Sequence, residues 1–212
     1  MNKTCAALTI AFAAFAASAA HAAPVVNVSN TVFSPVAGVC SVDFDGSVCG
    51  SIAFAGGQLR SASETVAARP PSSTGNFMSV GPSSANGTPA VFTVFMPEAA
   101  RYNYFGFLAG SLDNYNAITF NFVNGVEATR TYSGTELADF AGVPANGDQG
   151  VSRYFSVFLT EGVYRSITLT SSQDAFEVDN LAFGAASVPA PGVLALLGIG
   201  LFAAGAASRR RG

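Results

Sequence analysis

The chain reads as an all-β protein: one β-sandwich of jelly-roll type, set between an N-terminal export signal and a short C-terminal apolar helix. Three observations predict this. Short runs of β-branched and aromatic residues recur between clusters of Gly, Asn, Asp, Ser and Pro, while helical periodicity is nearly absent. The stretch between the two ends, residues 23–187, is long enough for one domain with a sizeable core. Both ends are apolar runs too short for an ordinary membrane span of about 20 residues.

Within the domain the expected strands are 25–33, 51–55, 91–96, 102–108, 117–123, 126–132, 154–159, 165–170 and 175–183. The clearest hairpin joins the fifth and sixth through Asn124-Gly125, a dipeptide that supplies the positive φ angles of a two-residue type I′ turn. Ile118, Phe120 and Phe122 share one face and point to the core, as do Ile167 and Leu169, with Ser166, Thr168 and Thr170 on the other face. One short helix is expected at 133–140, where Ser133 and Glu136 have capping-box spacing. Residues 61–89, rich in Ser, Gly and Pro, read as a long surface excursion.

The ends give the address. Lys3, the small-and-apolar run 6–17 and Ala20-His21-Ala22 have the charge, core and cleavage site of a secretory signal peptide, residues 1–22, so the Sec machinery and a signal peptidase are expected partners. At the other end, residues 188–212, Val188-Pro189-Ala190-Pro191-Gly192 forms an extended segment that proline keeps out of a helix. An apolar run to Ala207 follows, then Arg209-Arg210-Arg211, a cluster expected to stay cytoplasmic while the domain lies outside.

Composition narrows the chemistry. Residues 23–187 hold six arginines, no lysine and all thirteen carboxylates of the chain, so acid exceeds base and nothing suggests nucleic acid as a partner. Calcium and neutral polysaccharide are compatible with that balance. The single histidine, His21, leaves with the signal peptide, which removes histidine triads and histidine zinc sites from the exported domain. No cofactor is required by any motif, and a non-catalytic role is expected. The competing class is a secreted polysaccharide hydrolase working through carboxylates alone.

Cys5 is also removed, leaving Cys40 and Cys49, which are expected to pair in an exported chain. A four-residue turn, 43–46, would set them directly opposite each other, whereas a two-residue turn would leave them diagonal and too far apart.

Candidate ligand groups are sparse. Asp113, Asn114 and Asn116 crowd one strand end, either as turn formers that bond their own backbone or as calcium ligands. Glu177 and Asp179 alternate on one face of the last strand, a solvated face that could also offer calcium two carboxylates. Asp43-x-Asp45-Gly46 has the form of half a calcium loop without the rest. Tyr102, Tyr104 and Phe105 are either core residues or a sugar-facing patch.

Two resemblances rest on these residues. The order of Pro-x-Pro segment, short apolar helix and arginine cluster resembles the PEP-CTERM tail read by exosortases in Gram-negative bacteria, with Ala190 where that tail usually has Glu. The run from Tyr104-Phe105-Gly106 through Gly110-Ser111, Asp113 and Tyr115-Asn116 to Ile118 and Phe120 resembles a family of exosortase-dependent surface proteins. Their form is roughly Y-F-G-x-x-W-G-S-x-D-x-Y-N-x-I-x-F, and Ala109 stands here at the Trp. The closing Phe176-Glu177-Val178-Asp179-Asn180 is similar to the last strand of the same family. The resemblance implies transient anchoring in the inner membrane, sorting by an exosortase-type protease, and display at the cell surface or in an extracellular matrix, in association with exopolysaccharide or biofilm.

Overall fold

A computed structural model describes residues 23–82, 90–124 and 128–188. The expected signal peptide, residues 1–22, Pro189 to Gly192 of the expected sorting motif and Arg209 to Arg211 lie outside them; among the described residues no helix is long and apolar enough to cross a membrane.

Twelve strands and one helix form among the described residues: β1 (Val25–Ser29), β2 (Cys40–Val42), β3 (Ala53–Gly56), β4 (Gln58–Arg60), β5 (Phe77–Val80), β6 (Ala90–Phe95), β7 (Tyr104–Ala109), β8 (Asn116–Val123), β9 (Thr129–Ser133), α1 (Gly134–Ala141), β10 (Arg153–Phe158), β11 (Val163–Ser171) and β12 (Phe176–Gly184). They build two antiparallel sheets. The first runs β1-β10-β7-β12-β5-β4 with β2 added beside β12, and the second runs β3-β6-β11-β8-β9. The core between them is aromatic: Phe107 stacks on its cross-strand partner Phe155 at 5.1 Å, and Phe105, Phe120 and Tyr164 meet at 5.6–6.4 Å. Ile118, Phe120, Ile167 and Leu169 are buried in it as expected, and Phe122 packs at its margin. Tyr104 and Phe105 are fully buried and Tyr102 half-buried, so the three form no open aromatic patch.

The helix has its capping box. Ser133 Oγ accepts the Glu136 N–H at 3.2 Å, and the Glu136 carboxylate accepts the Ser133 N–H at 2.8 Å.

Four expectations are corrected. The β8–β9 hairpin forms and Asn124 adopts positive φ (57°), but Ile118 pairs with Tyr132 and Asn121 with Thr129. A two-residue Asn124-Gly125 turn would pair Ile118 with Thr131, so the register is moved by one residue. That move turns Tyr132, 3% exposed, into the core against Phe120 and leaves Thr131 outside against Thr119. Second, residues 61–89 are not simply an excursion. Phe77–Val80 is a buried strand inside the first sheet, because Met78 and Val80 face the core and Phe77 packs on Ala67 and Ala175 behind it.

Third, Cys40 and Cys49 form the disulfide, with Cα atoms 5.6 Å apart, but not across a hairpin. Strand β2 pairs with β12 instead (Val42 with Leu181), and the chain to Cys49 is a loop built on Asp43. Fourth, Glu177 and Asp179 are not on a solvated face; each is 1% exposed. The outer face of the first sheet is itself covered by irregular chain, so β12 is buried on both sides.

That covering starts from the Tyr104-Phe105-Gly106 motif. A Cβ at Gly106 would lie 2.5 Å from the hydroxyls of both Tyr104 and Tyr154, so only glycine leaves room for the two rings over the strand. The Tyr104 hydroxyl then meets Ser34 Oγ at 2.7 Å and Ser156 Oγ at 3.1 Å, and Tyr154 donates to the Asn180 carbonyl at 3.1 Å. Val36, Val39, Ala186 and Val188 close over Tyr104, Phe158 and Ala182.

Candidate functional site

The site begins at a break in β12. Between Asp179 and Ala182 its pairing with β7 slips, and Asn180 takes the left-handed conformation (φ 47°). Asn180 Nδ2 donates to the Val32 carbonyl at 3.1 Å, which fixes the chain just before Phe33. The expected first strand had included Phe33 as a strand residue; β1 stops at Ser29, and the Phe33 ring is 62% exposed.

Because Val42 pairs with Leu181, the next residue, Asp43, is delivered beside Asn180. Asp43 Oδ1 accepts from the backbone N–H of Asp45 at 3.0 Å, from that of Ser47 at 3.4 Å and from the Ser47 hydroxyl. The Ser47 hydroxyl, the first of these causes, holds the Asp43 carboxyl below the ordinary carboxylate range, so it stays ionised. Asp45 Oδ1 accepts the Asn76 N–H at 2.8 Å, and Asn76 Nδ2 donates to the Phe44 carbonyl at 3.1 Å, pinning the loop to the start of β5. Gly75 makes this contact possible: at φ 75°, a Cβ there would lie 1.8 Å from Asp45 Oδ2. The Cys40–Cys49 bond closes the loop that carries both aspartates.

The remaining wall is segment 61–76. Ser73 Oγ donates to Asp179 and Ser152 Oγ donates to the Pro71 carbonyl at 2.8 Å, which lays the segment on the sheet and presents Ser72 (φ 69°) and Thr74. These four pieces of chain enclose a cavity of about 230 Å³, with Phe33 and Val32 on one side and Asp43, Asp45, Ser72, Thr74 and Asn180 around it. Three non-glycine residues with positive φ, Phe44, Ser72 and Asn180, sit in or beside its wall, a conformation that persists only where surrounding contacts hold it.

An exposed aromatic ring next to carboxylates, hydroxyls and an amide offers two complementary surfaces. The ring can cover the apolar C–H face of a pyranose, and the oxygens can accept from its hydroxyls.

Behind segment 61–76, Glu177 accepts the Ala68 N–H at 2.8 Å and the Ser111 hydroxyl at 3.3 Å. Burial pushes its carboxyl up to about 7, and burial pushes Asp179 up to about 6. Both are therefore acids of raised pKa, sealed under chain instead of open to solvent. At the other candidate cluster, the Asn116 N–H donates to the Asp113 carbonyl at 3.1 Å, which closes a turn; Asn114 is exposed at its tip, and Asn116 is turned inward to accept from Ser171 Oγ at 2.9 Å. Burial raises the Asp113 carboxyl, and its charge in turn raises Glu177. Among the described residues no three His, Cys, Asp or Glu side chains are grouped to hold a metal ion.

No protein-family model matches this chain, and no curated protein does. Among solved structures, it is similar to the enzymatically active domain of tailspike protein 4 of bacteriophage CBA120 (15% identity, TM-score 0.36), over 63% of this chain and 19% of that one. It is also similar to a carbohydrate-binding module of Cellvibrio mixtus lichenase 5A in complex with cellotriose (15% identity, TM-score 0.31), over 64% of this chain and 91% of that one. The chain thus spans under a fifth of the tailspike domain's length, and likenesses this faint carry no weight for function.

Proposed function

We propose that this chain is a non-catalytic exported surface or matrix protein, a jelly-roll sandwich whose Phe33–Asp43–Asp45 cleft binds extracellular polysaccharide. The cleft carries the reading: an aromatic ring left 62% exposed beside oxygen acceptors, in a domain whose other large aromatics are mostly committed to packing. Export and sorting rest on the two terminal sequences and the family they resemble. In this scheme the Val188–Gly192 segment is cut by an exosortase-type protease after the arginine cluster has held the tail.

Carboxylate-dependent hydrolysis is the competing account, and the raised pKa values of Glu177 and Asp179 are the observation that favours it. A general acid must reach the glycosidic oxygen, however, and these two are engaged with Ala68, Ser111 and Ser73 under covering chain.

Affinity electrophoresis of the whole exported chain through gels containing neutral polysaccharides tests the binding reading. Retardation by at least one glycan, lost in Phe33→Ala, is expected; mobility that Phe33→Ala leaves unchanged would refute it. Release of reducing ends from a retarding glycan would move the assignment to the hydrolase.

A further inference from the structure

A second cavity, of about 320 Å³, shares no residue with the cleft. It opens where β6, β8 and β11 end, and Arg101 and Arg165 both line it. These arginines are 64 positions apart in sequence, yet backbone bonds fix them as neighbours. The Tyr164 N–H donates to the Tyr102 carbonyl at 2.9 Å, which brings the residues next to Arg101 and Arg165 into contact, and the Met96 N–H donates to the Arg165 carbonyl at 3.0 Å. The Ala100 N–H donates to the Pro97 carbonyl at 2.8 Å and shapes the turn that forms the near wall.

Neither guanidinium has an ion-pair partner among the described residues, where the two salt bridges are Arg60–Glu64 and Arg130–Glu136. Arg69 and Arg153 likewise have no acid partner but donate to the Ser61 and Ser152 carbonyls, whereas Arg101 and Arg165 make no side-chain hydrogen bond among the described residues. Glu98 also lines the cavity but makes no contact with either arginine within 4.0 Å. The rest of the wall is largely apolar, from Met96, Pro97 and Val163. Two forked donors over an apolar surface match a planar carboxylate carried on a body with a hydrophobic face.

We propose that the Arg101–Arg165 cavity is a second binding site, for an organic carboxylate. The ligand chemistry has two sources, a uronic-acid unit of an acidic polysaccharide or a free apolar carboxylic acid. Titration of the whole exported chain by calorimetry separates them, with three probes: a galacturonic acid trimer, the same trimer fully methyl-esterified, and 4-phenylbutyrate. Binding of the free trimer, with the ester at least about tenfold weaker, assigns uronic acid; binding of phenylbutyrate alone assigns a free acid. Either result requires that Arg101→Gln and Arg165→Gln each weaken binding about tenfold or more, and that affinity fall as salt rises toward about 0.2 M. Glu98→Gln, which removes an acid from the wall, is expected to tighten binding. Both arginines are exposed, so thermal melts of the variants should match the parent. The proposal is overturned if none of the probes binds, if acid and ester bind alike, or if Phe33→Ala abolishes binding while the arginine variants retain it, which would place the ligand in the cleft.

Discussion

Replacing Glu177 with glutamine should stabilise the protein at alkaline pH and leave it unchanged at acid pH. Glu177 is 1% exposed, and its carboxyl lies at about 7 against an ordinary 4.5, chiefly because burial disfavours the charged form. Between those two values the native state holds a proton that the unfolded chain has released. Stability therefore falls as pH rises through that window: the contribution is intact below about 4.5 and lost above about 7. At about 1.4 kcal/mol per pKa unit, the ionised side chain costs the native state about 3 kcal/mol at pH 8. Glutamine keeps the acceptor for the Ala68 N–H and offers Ser111 an amide in place of the carboxylate. Urea unfolding of both proteins at pH 5, 6, 7 and 8, with the disulfide intact, measures the effect. The gap should open from under about 1 kcal/mol at pH 5 to about 3 kcal/mol at pH 8. Glu161→Gln, an exposed acid, controls for net charge and should move stability by less than about 0.5 kcal/mol. A glutamine variant that is less stable than the parent at pH 8, or a parent that gains stability from pH 5 to pH 8, would refute the reasoning.

Asp179, pushed up to about 6, should behave alike over a lower window, so Asp179→Asn unfolds at higher urea than the parent at pH 8 and not at pH 4. Thiol labelling of the unfolded, unreduced protein comprising residues 23–212 should find no free cysteine, and reduction should cost about 2–3 kcal/mol for so small a loop, read as a shift of the urea midpoint. Gly75→Ala should destabilise by about 1–2 kcal/mol or more in the same assay, since its Cβ would overlap the Asp45 carboxylate and φ is positive, and should also abolish glycan retardation. Ser133→Ala removes the cap of α1 and should cost about 1 kcal/mol, measured by thermal melting.

Much of the second sheet was legible because β6, β8 and β11 face the core on one side only. In β8 and β11, apolar residues alternate with Ser, Thr and Asn, and the structure repeats that pattern. Reading failed where the outer face is covered as well. Glu177 and Asp179 look like the wet side of an alternating strand, but segment 61–76 lies over them, and nothing local in Phe176–Gly184 reports a layer contributed a hundred residues earlier. The β8–β9 register failed for a related reason. Asn-Gly chemistry favours a two-residue turn locally, yet the burial of Tyr132 between strand and helix decides the pairing.

The cleft was legible only in fragments. Asp43 and Asp45 stood out as half a calcium loop, and the disulfide around them was expected, but their partner Asn180 lies in the closing strand and Phe33 just after the opening one. What joins them is the pairing of Val42 with Leu181, a long-range choice that no turn signal announces. Once that pairing is known, the acids on this side of the sheet divide by cause. Asp43 is solvated enough, and bonded by enough N–H and O–H donors, to keep its charge beside the cavity. Glu177 and Asp179 have fewer donors and far less water, and burial outweighs their hydrogen bonds. The carboxylates that a ligand in the cleft would touch are those of the disulfide loop, Asp43 and Asp45, while the buried acids of the Phe-Glu-Val-Asp-Asn strand hold segment 61–76 in place. That division makes binding and pH-dependent stability separable properties of neighbouring residues.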